Sequence, residues 1–228
     1  MKKTFSIKQA FKFGWTAFKA QWTFYIAIIF VALVASWVGG VIGNLLGESF
    51  IPQAFATVIA MIIQLFISVG FITIFIRTVR EKSVGWNDFL RNKDRLLSFF
   101  AVSIIYQILV LIGLILLIIP GIYLAIRYQY ATYIIIDDKH ISIGKAFKRS
   151  AEITKGIKWR IILLACASVG VGILGLLALG VGIFAAAPVI GIARAFVYVQ
   201  LRKAYHDDFI VDGHTKMIEV EDEEEGAV

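Results

Sequence analysis

From Ile161 to Ala193 the chain carries no charged residue. Drawn out as one helix, that run would reach roughly 50 Å at 1.5 Å per residue, well beyond the ~30 Å hydrocarbon core of a bilayer. It must therefore fold back inside an apolar medium, and the glycines at Gly180 and Gly182 mark the turn. Comparable stretches recur upstream. "WTFYIAIIFVALVASWVGGVI" (Trp22 to Ile42), Ala54 to Ile76 and Leu96 to Ile119 are free of charge, and "PGIYLAIRYQYATYIII" (Pro120 to Ile136) carries only Arg127. A crossing needs about 20 mostly apolar residues, so six spans are expected. Pro120-Gly121 reads as a hairpin turn on one membrane face, because proline suits a first helical position and glycine a tight reversal. Composition agrees: 59% of residues are hydrophobic and 17% charged, against roughly 45–50% and about 25% in soluble domains. A membrane β-barrel would show short alternating segments instead, so the expected fold class is all-α, a six-transmembrane helical bundle.

The charges are bunched, and their placement orients the spans. Of 23 Lys and Arg, five precede the first span, six lie from Arg77 to Arg95, and seven from Lys139 to Arg160. The loops on the other side hold no Lys or Arg, and only Glu48 among acids. Lys and Arg accumulate in cytoplasmic loops, so both termini and both long connections are placed in the cytoplasm. The net charge of +7 is then a topological signal rather than a nucleic-acid footprint. Lys2 and Lys3 open the chain, but Lys8, Lys12 and Lys19 continue the charge and no small-residue cleavage pattern closes a short apolar core, so no cleaved leader is expected. The single cysteine, Cys166, admits no internal disulfide.

Two 15-residue segments, each just before an apolar run, are nearly the same. "SIKQAFKFGWTAFKA" (Ser6 to Ala20) and "SIGKAFKRSAEITKG" (Ser142 to Gly156) match without gaps at Ser6/Ser142, Ile7/Ile143, Ala10/Ala146, Phe11/Phe147, Lys12/Lys148 and Lys19/Lys155. Both begin on a serine suited to cap a helix. Helical spacing gathers Phe11, Trp15 and Phe18 against Lys8, Lys12 and Lys19 in the first, and Ile143, Ala146, Phe147, Ala151 and Thr154 against Lys145, Lys148, Arg149 and Glu152 in the second. A weaker third version starts at Ser83, "SVGWNDFLRNKDRLLSFF". The chain thus reads as a single membrane domain, 1–206, of three units (1–80, 81–138, 139–206), each a basic amphipathic helix followed by a two-span hairpin. An acidic tail, 207–228, ending "EVEDEEEGAV", is expected to be disordered. Basic amphipathic helices with aromatic residues lie at lipid headgroups, which makes Lys8, Lys12, Lys19, Lys145, Lys148, Arg149 and Lys155 interfacial contacts.

Charges within spans are costly, about 2.5–3.5 kcal/mol at mid-helix. Arg127, seven residues past Pro120, is expected to snorkel toward the outer face along a stripe with Tyr123 and Tyr130, which packs either a headgroup or a neighbouring helix. Arg194 leans the other way and is expected to face the bundle interior. Its candidate partners are Gln64, Gln107, hydroxyls, carbonyls, water, Asp137 or Asp138, or a lipid phosphate. Small residues four apart, Gly39/Gly43/Gly47, Ala178/Gly182/Ala186 and Ala187/Gly191/Ala195, point to close helix packing, and Pro188 to a kink.

Chemistry is sparse. His140, His206 and His214 lie at edges or in the tail without metal-ligand spacing, and no phosphate-binding loop, nucleophile elbow or intramembrane carboxylate pair occurs. No catalysis, metal or cofactor is expected. The stretch "IPGIYLAIRYQYATYIIIDDKHISIGKAFKRSAEITKGIKWRIILL" resembles the polytopic membrane domain attached to some bacterial glycerophosphoryl diester phosphodiesterases, and stand-alone six-span prokaryotic membrane proteins of unknown function. The resemblance rests on the Pro-Gly pair, the short aromatic span with an Arg, and Ala146, Ser150, Thr154, Lys155 and Gly156. It implies a prokaryotic cytoplasmic membrane protein with a lipid-facing accessory or anchoring role, and no phosphodiesterase domain is present to carry that activity. The expected partners are membrane phospholipids, with another membrane protein or a second copy of the chain beside them. The alternative is a transporter or flippase-like permease for a lipid or amphipathic solute.

Overall fold

The computed structural model describes residues 5–45, 50–80, 84–89, 91–178 and 182–225. The side chains of 35–36, 38–40, 42–45, 50–56 and 206–225 fall outside that description. The described residues are helical with no strand among them. In order they form α1 (Ile7–Ala20), α2 (Trp22–Leu45), α3 (Phe50–Val79), α4 (Trp86–Phe89), α5 (Leu96–Leu116), α6 (Ile118–Tyr128), α7 (Ala131–Asp137), α8 (Ile143–Ile153), α9 (Lys158–Leu177) and α10 (Ile183–Glu225).

Local chemistry explains the junctions. Ser6 caps α1, its Oγ accepting the Gln9 N–H at 3.3 Å, and α1 meets α2 at 89°. The reversal between α5 and α6 is a single extended residue, Leu117 (φ −167°, ψ 147°), not Pro120-Gly121. Pro120 sits in the first turn of α6, where its missing N–H leaves no bond unmade. Gly121 instead lets α6 lie against α5: a Cβ on Gly113 would come within 2.8 Å of the Gly121 Cα. Gly182 does the same between α9 and α10, where a Cβ would meet the Gly175 carbonyl oxygen at 2.6 Å. Pro188 is held inside α10 without ending it. Gly39, Gly43, Gly47 and Gly180 lie outside the described side chains.

Four described stretches are long and apolar enough to cross a membrane: Thr57–Val79, Trp86–Leu116, Lys158–Leu177 and Ile183–Tyr205. The bent α1–α2 pair makes a fifth. The expected fourth span is not among them, because Pro120 to Ile136 breaks into the short helices α6 and α7 around Gln129 and Tyr130. The Ser83 version of the repeated segment also falls short, with only four residues of α4 and one 3-10 turn (Lys93–Arg95) before α5. The last helix, α10, runs from Ile183 to Glu225 and so extends into the acidic segment. Many large apolar side chains point outward, among them Trp37, Leu97, Ile115, Ile119 and Leu177. In water such a surface would be a liability; in hydrocarbon it is the ordinary exterior.

The core forms where α3, α7 and α10 meet. Gly191 leaves the space that the Phe75 ring fills, since a Cβ there would sit 2.2 Å from it. Tyr198 of α10 stacks on Tyr130, centroids 5.9 Å apart, and lies against Tyr133. Ala131, Ile134, Ile135 and Ile136 of α7 are all buried. Around these helices, α2 packs on α3, α5 on α6 and α7, and α9 on α10. The Tyr25 hydroxyl ties α2 to α3 through Thr78 at 2.7 Å.

The lead-in segments close the assembly. α1 packs on α10, α4 on α3, and α8 on α6 and α7. On α1 the buried residues are Ala10, Gly14 and Phe18, with Gly14 against the Val189 backbone and Phe13 stacked on Phe196 at 5.0 Å. The protein-facing stripe is therefore the small-residue one. Trp15 stays exposed, with Lys19 over its ring at 5.7 Å. On α8, Ala146, Ser150 and Thr154 are fully buried. These are the positions that the ungapped alignment pairs with Ala10, Gly14 and Phe18.

The ends of α3 and α7 and the middle of α10 are fastened at one carboxylate. Asp137, its side chain 3% exposed, takes Arg80 Nη2 at 2.7 Å, pairs with Arg202, and accepts the Tyr198 hydroxyl at 2.9 Å, all on Oδ2. Asp137→Asn removes the charge at nearly constant shape and leaves two guanidiniums facing each other. Breaking a buried pair costs about 3–5 kcal/mol. Arg80 and Arg202 keep about a third of their side chains exposed, so the expected loss is about 2–3 kcal/mol, read as a lowered thermal midpoint of the detergent-solubilised protein.

Candidate functional site

The break between α6 and α7 frees backbone groups, and α8 satisfies one of them. Ser150 Oγ donates to the Arg127 carbonyl at 3.0 Å. Thr154 shares its hydroxyl between the Ser150 carbonyl at 2.9 Å and the same Arg127 oxygen at 3.3 Å. The small polar stripe of α8 is thus complementary to a broken helix. Gly156, at φ +83°, then turns the chain out of α8 into α9, a conformation that favours glycine.

This docking decides where Arg127 lies. Its guanidinium stands 5.9 Å from the Tyr123 ring centroid and 5.4 Å from that of Tyr128. It lines a cavity of about 620 Å³ together with Tyr123, Tyr128, Lys148, Lys155 and Lys158. Lys158 Nζ lies 3.7 Å above the Tyr123 ring. The outward snorkel expected of Arg127 is therefore corrected: it shares one surface with the basic segment that the sequence assigned to the opposite face, because α6 stops at Tyr128 and α8 closes over its end. Phe147 adds an apolar wall, its ring 5.4 Å from that of Tyr128. Glu152 is the one carboxylate in the lining, and it accepts the Tyr205 hydroxyl at 2.7 Å. Four cations around aromatic faces, with one carboxylate among them, suit an anionic group attached to an apolar body.

The other expected contacts are distributed differently. Lys145 and Lys148 are exposed on α8, while Arg149 turns the other way and pairs with Asp138 at 3.0 Å. Lys8, Lys12 and Lys19 are exposed along α1. Tyr130 leaves the Tyr123–Arg127 stripe, because the helix break turns it into the core, and its buried hydroxyl has no hydrogen-bond partner among the described residues. Arg194 is exposed rather than enclosed, yet near enough to Tyr106, Tyr130 and Tyr133 for its charge to act on all three. Gln64 and Gln107 are exposed on α3 and α5, and no hydrogen bond joins either to Arg194 among the described residues. Asp137 and Asp138, offered as partners for Arg194, are taken by Arg80, Arg202 and Arg149. No group of residues suited to hold a metal ion occurs among the described residues.

A helical chain with several membrane-length apolar helices and a basic, aromatic cavity defines a helical membrane protein. Residues 95–205, just under half of the chain, are similar to a family described as a protein of unknown function, DUF975. This matches the expected kinship with an uncharacterised family and does not extend to the phosphodiesterase membrane domain. No curated protein and no solved structure matches the chain. The matched stretch runs from the foot of α5 to Tyr205 and contains the whole cavity.

The docking of α8 has a direct test. Ser150→Ala alone leaves Thr154 free to donate fully to Arg127, so little stability should be lost. The double change with Thr154→Val leaves a buried carbonyl unpaired and should cost about 1–3 kcal/mol, measured by thermal unfolding.

Proposed function

We propose that the protein is a non-catalytic, multi-pass protein of the prokaryotic cytoplasmic membrane that holds anionic phospholipid headgroups in the cavity between α6, α8 and α9, in an anchoring or accessory role. The observation that carries this reading is the union of Arg127, Lys148, Lys155 and Lys158 with Tyr123, Tyr128 and Phe147 around one cavity. A headgroup phosphate meets the cations, and the first acyl carbons meet the aromatic rings. Each cation near a membrane surface attracts anionic lipid by about 1 kcal/mol.

The reading includes a three-unit architecture with both termini in the cytoplasm. Its support is the cyclic order of docking: α1 lies on α10, α4 on α3, and α8 on α6 and α7, so each lead-in segment packs on the last helix of the unit before it. The coincidence of buried positions on α1 and α8 supports it too. The likeness to the phosphodiesterase-linked membrane domain belongs to this proposal, as do lateral partners, another membrane protein or a second copy of the chain.

One observation favours a permease for a lipid or amphipathic solute. The α6–α7 helix is broken beside the unpartnered Tyr130 hydroxyl, with Arg194 close by, and broken helices are where transporters place their substrates.

Native mass spectrometry of protein from nanodiscs containing anionic phospholipid separates the two. With Arg127→Gln and Lys158→Gln combined, retained anionic lipid should fall about 30-fold, the equivalent of ~2 kcal/mol for two cations. Unchanged retention would remove the headgroup reading. Translocation of fluorescent lipid across proteoliposomes, abolished by Arg194→Gln, would favour the permease instead.

A further inference from the structure

A second cavity of about 590 Å³ opens on the other side of α8, at the end of the bundle where α3, α7 and α10 converge. Its wall toward the first cavity is the Tyr205–Glu152 hydrogen bond, since Tyr205 lines one and Glu152 the other. The two spaces differ in character. Each has four cations in its lining, but the first has three aromatic rings and one guanidinium, whereas the second has the Tyr205 ring and three guanidiniums, Arg80, Arg149 and Arg202, beside Lys203.

The cations of the second cavity come from α8, α10 and the end of α3, brought together by the carboxylates beneath them. Arg80 and Arg202 share Asp137 Oδ2, which also accepts the Tyr198 hydroxyl. Arg149 pairs with Asp138 at 3.0 Å and stands 6.0 Å from the Tyr205 ring centroid. Asp137 is almost fully buried, while Arg80, Arg149 and Arg202 each keep about a third of their side chains exposed. Each guanidinium carries five N–H donors in a planar fork, and these carboxylate contacts occupy only part of them. Lys203 is exposed, with no ion-pair partner among the described residues. Among the described residues the lining holds these four cations and one carboxylate, Asp138, with Asp137 beneath them and Glu152 bonded to Tyr205 in the wall, so positive charge is in excess.

We propose that this cavity binds a phosphate monoester dianion. A phosphate monoester carries about −1.5 to −2 at neutral pH and offers three acceptor oxygens, which matches both the surplus charge and the forked donors. The volume lies within the range of small-molecule sites, roughly 300–1,000 Å³. Two sources share this chemistry: a soluble phosphate ester, and the headgroup of phosphatidic acid. The assignment does not depend on the headgroup reading of the first cavity, because the two share no lining residue.

The test uses the full chain in nanodiscs of phosphatidylcholine alone, titrated calorimetrically with glycerol 3-phosphate and, as an uncharged control, glycerol. Saturable binding of the ester but not of glycerol is expected. Lys203→Gln, on an exposed side chain, should weaken it about tenfold, and Arg149→Lys, which keeps the charge and removes the fork, should weaken it similarly. Lys148→Gln, in the first cavity, should leave it unchanged. If the soluble ester does not bind but phosphatidic acid retained from mixed nanodiscs falls about tenfold in both second-cavity variants and not in Lys148→Gln, the dianion is a lipid headgroup. The proposal is overturned if neither probe responds to Lys203→Gln and Arg149→Lys, or if Lys148→Gln lowers ester binding as much as they do.

Discussion

One oxygen of Asp137 holds the molecule at its most constrained point. The end of α3 and the middle of α10 bring Arg80, Arg202 and Tyr198 to it, and α7 ends on it. Helices in hydrocarbon gain little from hydrophobic burial against one another, so packing of small residues and polar ties have to set their arrangement. Here the tie is charged and nearly dry, and its direction fixes the rest. With Asp137 anchored, α7 presents Ala131, Ile134 and Ile135 to the core, and Tyr130 is drawn in against Tyr198. The helix cannot continue straight from α6 through that inward turn, and the break leaves the Arg127 carbonyl for Ser150 and Thr154.

From that break follows the position of α8, and from α8 both cavities. Its buried stripe is committed to the protein, which sends Lys148 and Lys155 to one side and Arg149 to the other. An amphipathic helix of this kind has been read as lying on lipid by its apolar face. In this fold the same helix uses small residues to dock on protein and keeps its charges for two separate spaces, one rich in aromatic rings and one rich in guanidiniums.

The class of the protein was legible because hydrophobic run length is a one-dimensional property. α3, α5 and α9 fall within or close to the charge-free stretches and α10 begins in one, with α9 and α10 packed together at the expected Gly182. Residues 118–137 were misread for a physical reason. Hydropathy counts apolar residues and is blind to where a helix must bend to bring Asp137 to two arginines, so Pro120 to Ile136 looked like one short span. The same blindness put Arg127 and Lys158 on opposite faces, though they share a cavity. Arg80, Arg202 and Asp137 went unnoticed as a group because they are distant in sequence and each lies just beyond an apolar run, where a charge is unremarkable. The Ser6/Ser142 repeat was legible, but its meaning was not. The matched Ala10/Ala146 positions proved to be protein contacts, while Trp15, expected on the apolar face at the lipid headgroups, is exposed.

The sequence by itself determined the solvent and the secondary structure. Long uncharged runs must satisfy their backbone internally, which in hydrocarbon leaves helices. The Ser6 cap and the Gly156 turn then mark two of the boundaries. The tertiary structure alone decided which charges meet. A carboxylate buried to 3% is stable only with its counter-charges in contact, and the geometry that delivers Arg80, Arg202 and Tyr198 to Asp137 depends on the packing of three helices that no local pattern encodes.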